Sequence, residues 1–202
     1  MIESFFVQFQ STSWLEWIAV VLALAYVYFA AKQNIWCWPS ALISTAIYTW
    51  LFWSVSLPFH TFLNAYYLIM ALYGWRKWNS SDNTALTVKV WPWHYHFICI
   101  LLLTFTAWAL SYFASSVLDA DYLYLDAFVT VFSVFTTFLV THKVRENWLY
   151  WIVINVFGAY LYFAKGLSLT GVLYLFYAGF AIYGFIQWRI QPSAVEDNKI
   201  VT

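Results

Sequence analysis

Seven apolar stretches of about 20 residues each fill most of this 202-residue sequence and limit its fold more than any other feature. A helix needs about 20 mainly apolar residues to cross the hydrocarbon core of a bilayer. Because these stretches are continuously apolar and do not alternate, they predict helices rather than the strands of a membrane barrel. The stretches are Trp14–Ala31, Trp36–Trp53, Phe59–Trp75, Trp93–Ser115, Tyr122–Thr141, Asn147–Ala164 and Thr170–Trp188.

The composition excludes the main alternatives to a membrane protein. Hydrophobic residues make up 64% of the chain and charged residues 9%, and a soluble fold of this size has too little interior to bury so much apolar surface. Disorder needs the opposite composition, and a net charge of zero gives no basis for binding nucleic acid. We therefore predict an all-α protein with one membrane domain over residues 1–202, ending in a polar tail over 189–202.

The placement of Lys and Arg predicts the orientation in the bilayer. With seven crossings the connecting segments alternate between the two sides, and Lys165 is the one cation on its side. By the positive-inside rule the other side is cytoplasmic, so we expect the N-terminus outside and the C-terminus inside. Residues 1–13 lack the basic segment of a cleaved signal peptide, so we expect the first stretch to be retained. The cytoplasmic cations are Lys32, Arg76, Lys77, Lys89, Lys143, Arg145, Arg189 and Lys199.

An internal repeat relates residue n to residue n+110 over three consecutive apolar stretches. Its most specific match pairs Tyr73-Gly74-x-x-x-Trp78 with the same pattern at residues 183–188. Chance in a biased composition gives scattered Leu and Ala matches, but it does not readily give this pattern twice at one offset. The pairs Trp38 and Trp148, Tyr67 and Tyr177, and Glu16 and Asp126 share the offset.

The repeat predicts two three-helix bundles that point the same way. Three crossings reverse a chain, so two bundles joined directly would be inverted, and the fourth stretch restores the direction. We predict a first repeat over 14–78, a linker helix over 93–115 and a second repeat over 122–188, a 3+1+3 arrangement. Transporters with parallel repeats bind their substrate at the repeat interface near the bilayer midplane.

The densest group of polar and aromatic residues opens the sixth stretch, in Glu146-Asn147-Trp148-x-x-Trp151-x-x-x-Asn155. Trp148, Trp151 and Asn155 share one helix face because of their spacing. At 1.5 Å per residue Asn155 lies about 12 Å inside the span, where an amide needs a partner. That partner is either a neighbouring helix or a ligand. Trp faces with amides suit a planar heteroaromatic ring that bears a carboxamide and a polar sugar.

Further candidates lie in other stretches. Asn64, Tyr67 and Trp75 fall near one face of the third stretch. Core packing explains many of its aromatic residues, but it does not explain the polar Asn64. The candidates for a gating or supporting role are Glu16, Trp38, Asp126 and Tyr177. For the two acids the alternative is stabilisation at a helix N-terminus by the helix dipole.

Motifs for enzyme chemistry are absent from the sequence, which has no Gly-rich phosphate loop, no G-x-S-x-G and no H-E-x-x-H. We therefore expect no catalysis, no cofactor and no metal. His94 and His96, near a membrane boundary, are interpreted as interfacial residues, and Cys37 and Cys99 as free thiols. No chain of acids crosses the apolar stretches, so proton coupling is not indicated.

At these residues the chain resembles the PnuC family of nicotinamide riboside transporters. The matching pieces are Asp126, the segment from Glu146 to Asn155, and Tyr73-Gly74-Trp75-x-x-Trp78, and the resemblance covers residues 14–189. It implies the 3+1+3 fold of SWEET sugar transporters and a place in the cytoplasmic membrane of a bacterium. It also implies a homotrimer that carries nicotinamide riboside by facilitated diffusion, with trapping by cytosolic phosphorylation.

The same resemblance assigns roles to single residues. It implies that Asn147, Trp148, Trp151 and Asn155 contact the ligand, whereas Asn64 stands where relatives can carry Gln. Two alternatives remain open. The substrate can be a related vitamin such as thiamine, which is also a cationic heteroaromatic compound. The chain can also be a membrane receptor that does not transport, although its short connecting segments offer little surface to a partner.

Overall fold

The computed structural model describes Phe9 and residues 13–54, 58–79, 87–116 and 121–190, nearly all of them helical. We number the seven long helices α1 to α7 in chain order, and they confirm the predicted all-α fold. They are α1 (Trp14–Ala31), α2 (Cys37–Ser54), α3 (Pro58–Asn79), α4 (Trp93–Ser115), α5 (Leu123–Thr141), α6 (Asn147–Ala164) and α7 (Ser168–Ile190).

The helix bounds follow the apolar stretches closely, and the main difference is at the end of α3. This helix continues past the predicted end at Trp75 to Asn79. Its last turn carries Arg76 and Lys77, and cations there interact favourably with the helix dipole, so a polar segment does not stop the helix. Helix α7 likewise reaches Ile190, inside the tail predicted from residue 189, and residues 191–202 lie outside the described residues.

Hydropathy alone identifies only part of the membrane domain. Helices α1, α4, α5 and α7 are long and apolar enough to cross a membrane by length and composition. Helices α2, α3 and α6 have 18, 22 and 18 residues but are richer in Trp, Tyr, hydroxyl and amide side chains. These groups lower the hydropathy of a helix without adding charge to its middle.

The helix contacts have a two-fold pattern. Within one half α2 packs against α1 and α3, and within the other α6 packs against α5 and α7. Between the halves α1 contacts α7 and α3 contacts α5. Exchanging the halves turns one of these two contacts into the other. Helices α2 and α6 also begin and end at residues that differ by the repeat offset of 110.

Two hydrogen bonds between the halves establish their relative direction. The indole N–H of Trp78, near the end of α3, donates to the carbonyl oxygen of Thr141 at the end of α5 over 3.2 Å. The indole N–H of Trp188, near the end of α7, donates to that of Ala30 near the end of α1 over 3.0 Å. The C-terminal ends of α1, α3, α5 and α7 therefore meet at one end of the bundle, as the prediction of parallel repeats requires.

The cations of the described residues, except Lys165, gather at this same end. Lys89 pairs its backbone with the turn between α5 and α6, where its N–H donates to Lys143 and its carbonyl accepts from Arg145, both over 2.8 Å. We call this end, with Lys32, Lys77, Lys89, Lys143 and Arg145, the basic end. The opposite end holds Glu16 and an ion pair of 3.2 Å between Lys165 and Asp126.

Candidate functional site

A side-chain hydrogen bond to the preceding turn holds the start of α6 in place. The side chain of Asn147 is fully buried, and its Nδ2 donates to the carbonyl oxygen of Val144 over 2.7 Å. Its Oδ1 is buried without a hydrogen-bond partner among the described residues. Asn147 therefore orients the first turn of α6 and keeps one acceptor unused.

The predicted face of α6 points into the protein. Trp148 is 2% exposed and Asn155 5% exposed, and Trp151 is partly buried. The exposed positions of the helix, among them Leu149, Val153 and Val156, lie on other faces. The structure thus brings Trp148, Trp151 and Asn155 together on the inner side of one helix.

The indole N–H of Trp148 and the side-chain amide of Asn155 are two polar groups of this face that have no hydrogen-bond partner among the described residues. No hydrogen bond joins the amide of Asn155 to any part of the chain that the structure describes. An amide inside a membrane span needs a hydrogen-bond partner that lipid does not supply. An amide placed this way is suited to a ligand that brings its own donor and acceptor.

Trp151 lies between the two buried clusters of the molecule. One cluster draws residues from both halves, including Ala30 and Trp38 from the first and Trp188 from the second. The other belongs to the second half and includes Phe132 and Ile154. The ring of Trp151 packs against both. Its place beside the interface of the repeats is the place where transporters of this architecture bind substrate.

Trp148 and Trp38 occupy equivalent positions in the two repeats, and each packs on a glycine. A Cβ atom on Gly184 would lie 2.6 Å from the ring of Trp148, and one on Gly74 would meet the ring of Trp38 in the same way. Because 38 and 148 differ by the same 110 as 74 and 184, the repeated Tyr-Gly pattern has a packing cause. The glycine leaves room for the indole of the neighbouring helix.

Replacing Gly184 by Ala is expected to destabilise the protein, because the ring of Trp148 has to shift by several tenths of an ångström. Overpacking of this kind costs about 1–3 kcal/mol and should lower the unfolding temperature of the detergent-solubilised protein. Gly179→Ala in the same helix is the matched control, since a Cβ there meets nothing within 4 Å. Equal unfolding temperatures for the two variants would contradict the packing role.

A group of tyrosines, which the sequence analysis missed except for Tyr67 and Tyr177, brings Tyr67 of the first half close to Tyr162 and Tyr174 of the second. The rings of Tyr162 and Tyr174 lie 4.9 Å apart, and Tyr174 is 5.9 Å from Tyr177. The hydroxyl of Tyr162 lies near that of Tyr174, and the hydroxyl of Tyr67 lies near Ser133. Position 174 is 110 residues from Asn64, so the repeat offset was the available signal.

Each predicted acid lies close to one tyrosine of this region. Glu16 is near Tyr48, and Asp126 is near Tyr162. Asp126 is paired with Lys165, whereas Glu16 has no ion-pair partner among the described residues. The end opposite the basic end therefore presents Glu16 beside a tyrosine, together with the exposed Asp121, which also has no ion-pair partner among the described residues.

Two of the predicted residues do not join this group. Trp75 is 36% exposed, because the inner face of α3 near its end is formed by Gly74 and Trp78. Asn64 is partly buried in α3. Trp38 is buried and Tyr177 is partly buried.

The interpretation of His96 as an interfacial residue is wrong. The side chain is buried, and its Nδ1 lies 3.1 Å from the hydroxyl of Tyr150 on α6, while its Nε2 lies 3.9 Å from Glu146. Glu146 also accepts a hydrogen bond of 3.2 Å from the backbone N–H of Trp91. This network joins the start of α4 to the start of α6 and so holds the α6 face in place.

Lys143 at the basic end is half-buried, and loss of solvent lowers the pKa of its ammonium group below its usual value. The ammonium lies 4.6 Å above the ring of Trp78 and donates to Oε1 of Gln33 over 3.3 Å. A cation held over an indole face is stabilised by the ring quadrupole. Lys143 thus remains close to the interior, and none of the acids that the structure describes is paired with it.

Comparison with known proteins agrees with this architecture. A solved structure described as the vitamin B3 transporter PnuC superposes with a TM-score of 0.68, covering 93% of this chain and 88% of that chain at 22% identity. At this identity the likeness establishes the fold.

Three curated relatives cover most of the chain. The riboflavin/roseoflavin transporter RibM of Streptomyces davaonensis is 24% identical over 94% of this chain and 91% of its own length. The nicotinamide riboside transporter PnuC of Escherichia coli is 21% identical over 87% and 85%, and that of Neisseria mucosa is 28% identical over 89% and 73%.

The profile of one protein family, described as the nicotinamide mononucleotide transporter family, matches residues 13–190. This match spans all seven helices of the described structure. The chain belongs to this family of bacterial transporters, which includes the PnuC proteins, and is a multi-pass membrane protein.

Proposed function

We propose that this transporter carries nicotinamide riboside across the membrane by facilitated diffusion. The observation that carries the proposal is the side-chain amide of Asn155, which lies on the inner face of α6 with Trp151 and has no hydrogen-bond partner among the described residues. An amide side chain and a carboxamide can exchange two hydrogen bonds, so Asn155 has the right groups for the carboxamide of the nicotinamide ring. The tyrosine hydroxyls between the halves supply partners for the ribose.

The positive charge of the nicotinamide ring is compatible with the charges along the proposed path. The nicotinamide ring of the riboside is cationic, and a cation over a Trp face is favoured by about 0.5–2 kcal/mol. The described helices carry Lys or Arg only in the last turns of α3 and α7, so no fixed cation opposes the ring along the way. The unpaired Glu16 at the opposite end would raise the local concentration of a cationic substrate.

Facilitated diffusion fits the distribution of charge. The acids of the described helices stand in the first turns of α1 and α5, and the middle of the bundle holds no carboxylate to carry a coupled proton. Net uptake then needs removal of the substrate inside, for which phosphorylation in the cytosol is the simplest route. We further propose that the basic end faces the cytoplasm of a bacterium across its inner membrane.

The division into repeats over 14–78 and 122–188 with a linker over 93–115 also remains our proposal, as does the homotrimer implied by the resemblance to PnuC proteins. The corresponding helix bounds and the two-fold contacts of the halves support the division.

Riboflavin is the second candidate, favoured by the likeness to RibM. It also combines a planar heteroaromatic ring with a polyol, but its ring system is neutral and three rings wide. Charge therefore separates the two substrates, because only the nicotinamide ring gains from Trp151 by cation–π attraction and from Glu16 by Coulomb attraction.

A binding titration of the purified protein tests the proposal. The ligands are nicotinamide riboside, riboflavin, thiamine and nicotinamide mononucleotide, each measured by calorimetry at two salt concentrations. We expect the riboside to bind most tightly, with weaker binding at high salt, and Glu16→Gln should reduce this dependence on salt. The mononucleotide should bind far more weakly, since no cation of the described spans reaches its phosphate. Tight binding of riboflavin without binding of the riboside would replace the first candidate by the second.

A further inference from the structure

Four tryptophans form a symmetric group where the two halves meet near the basic end. Trp38 and Trp78 of the first half are edge-to-face with ring centroids 5.1 Å apart, and Trp148 and Trp188 of the second half are edge-to-face at 5.5 Å. The centroids of Trp78 and Trp188 lie 6.3 Å apart, so these two rings meet across the interface. We call the four residues the tryptophan quartet.

The quartet ties the halves together by hydrogen bonds of its own. Each central indole reaches across the interface, Trp78 to the carbonyl of Thr141 and Trp188 to that of Ala30. These two bonds are equivalent under the repeat, and both must break if α3 moves away from α5 and α7 from α1.

The indoles of Trp38 and Trp148 differ from those of Trp78 and Trp188 in the state of their N–H groups. The Nε1 atoms of Trp38 and Trp148 are buried without a hydrogen-bond partner among the described residues. Both residues are at most 2% exposed. Separation of the halves would break two indole hydrogen bonds but admit water or substrate to two unpaired donors. The gain from hydrating the two unpaired donors offsets part of the cost of breaking the two hydrogen bonds. The difference in free energy between the closed and open arrangements is therefore smaller than the two hydrogen bonds alone would give.

A second contact across the interface lies next to the quartet. Gln33 and Lys143 are repeat equivalents, and both have a left-handed backbone with φ of 53° and 52°. The Lys143 ammonium donates to the Gln33 side chain over 3.3 Å and lies 4.6 Å from the ring of Trp78. The turns after α1 and α5 thus meet each other as well as the central indoles.

We propose that the tryptophan quartet, closed over by the Gln33–Lys143 bond, is the gate of the transport path at the basic end. Trp78 and Trp188 are the two rings that separate when the gate opens, and Trp38 and Trp148 pack against them. The α6 face with Asn155 lies farther from the basic end, so substrate bound there is separated from the solvent at this end by the quartet. The inference rests on transport through the repeat interface but not on the identity of the substrate.

Chemical modification of Cys37 can be used to detect opening of the gate. The thiol is fully buried in the same cluster as all of the quartet except the partly buried Trp78, and Lys143 is close to it. It should react with a small thiol reagent only when the gate opens. The second cysteine, Cys99, is partly exposed on α4 and is removed by Cys99→Ala.

The experiment measures the rate at which N-ethylmaleimide modifies Cys37 in the Cys99→Ala protein reconstituted in vesicles. Trp78→Phe and Trp188→Phe keep a ring but remove the crossing N–H. Loss of one such bond should raise the rate about 2- to 10-fold, to a similar extent for both variants. Trp108→Phe on the exposed side of α4 is the matched control and should leave the rate unchanged.

Gln33→Ala provides a second test that leaves the packed rings intact. It removes the contact between the turns and should raise the rate by a smaller factor, without a change in unfolding temperature. The proposal is overturned if Gln33→Ala and any folded Trp variant react at the rate of the control. Because no substrate is added, this result does not depend on whether nicotinamide riboside is the transported compound.

Discussion

Replacing Trp151 by Ala is expected to weaken binding of nicotinamide riboside by about 30- to 100-fold, because stacking of a base on an aromatic side chain contributes roughly 1–3 kcal/mol and the cationic ring adds to it. The ring is partly buried beside the interface, so a cavity in its place also lowers stability. Trp151→Phe separates the two effects. It keeps a stacking face and should recover most of the affinity, measured by calorimetry.

Trp53→Ala is the control for this change, since Trp53 is exposed on the outside of α2. It should bind the riboside as the parent protein does. A folded Trp151→Ala protein with unchanged affinity would remove Trp151 from the binding site.

The second large effect is expected for Asn155→Leu. If the amide serves the ligand, Leu removes both hydrogen bonds to the carboxamide and should weaken binding by about 10- to 100-fold, since each bond contributes about 0.5–1.5 kcal/mol and the ligand is left with unpaired groups. The free protein should unfold at the same or a higher temperature, because the amide has no partner among the described residues.

This opposite response of affinity and stability distinguishes a ligand-binding Asn from one that joins two helices. A structural Asn would lose stability on replacement by Leu and leave affinity largely unchanged. Thr45→Val is the matched control. Thr45 is the repeat equivalent of Asn155, and its hydroxyl is already bonded to the carbonyl of Ala41 within its own helix.

The helices and the repeat could be predicted from the sequence because both depend on residue patterns along the chain. Continuous apolar runs identify spans, and the offset of 110 that pairs Gly74 with Gly184 also relates the bounds of α2 and α6. The inner face of α6 could be predicted as well, since helical spacing fixes which residues share a side. The ends of α3 and α7 were harder, because terminal cations are polar and yet compatible with a helix.

The contacts between helices could not be predicted, since nothing local specifies them. Trp75 falls near the face of Asn64 by spacing, but the place inside the bundle is taken by Gly74 and Trp78, where Gly74 leaves room for Trp38. The sequence places His96 near a membrane boundary, but it does not reveal that Tyr150, 54 residues later, is the partner of His96. The tyrosines between the halves and the meeting of Trp78 with Trp188 depend on the same long-range packing.

The most direct measurement is uptake of labelled nicotinamide riboside into vesicles that contain the purified protein and no ion gradient. A uniporter with the proposed site should equilibrate the riboside, with saturation, until the inside and outside concentrations are equal. Trp151→Ala and Asn155→Leu should abolish this uptake at low substrate concentration. Uptake no faster than in empty vesicles, or uptake of riboflavin with none of the riboside, would contradict the account.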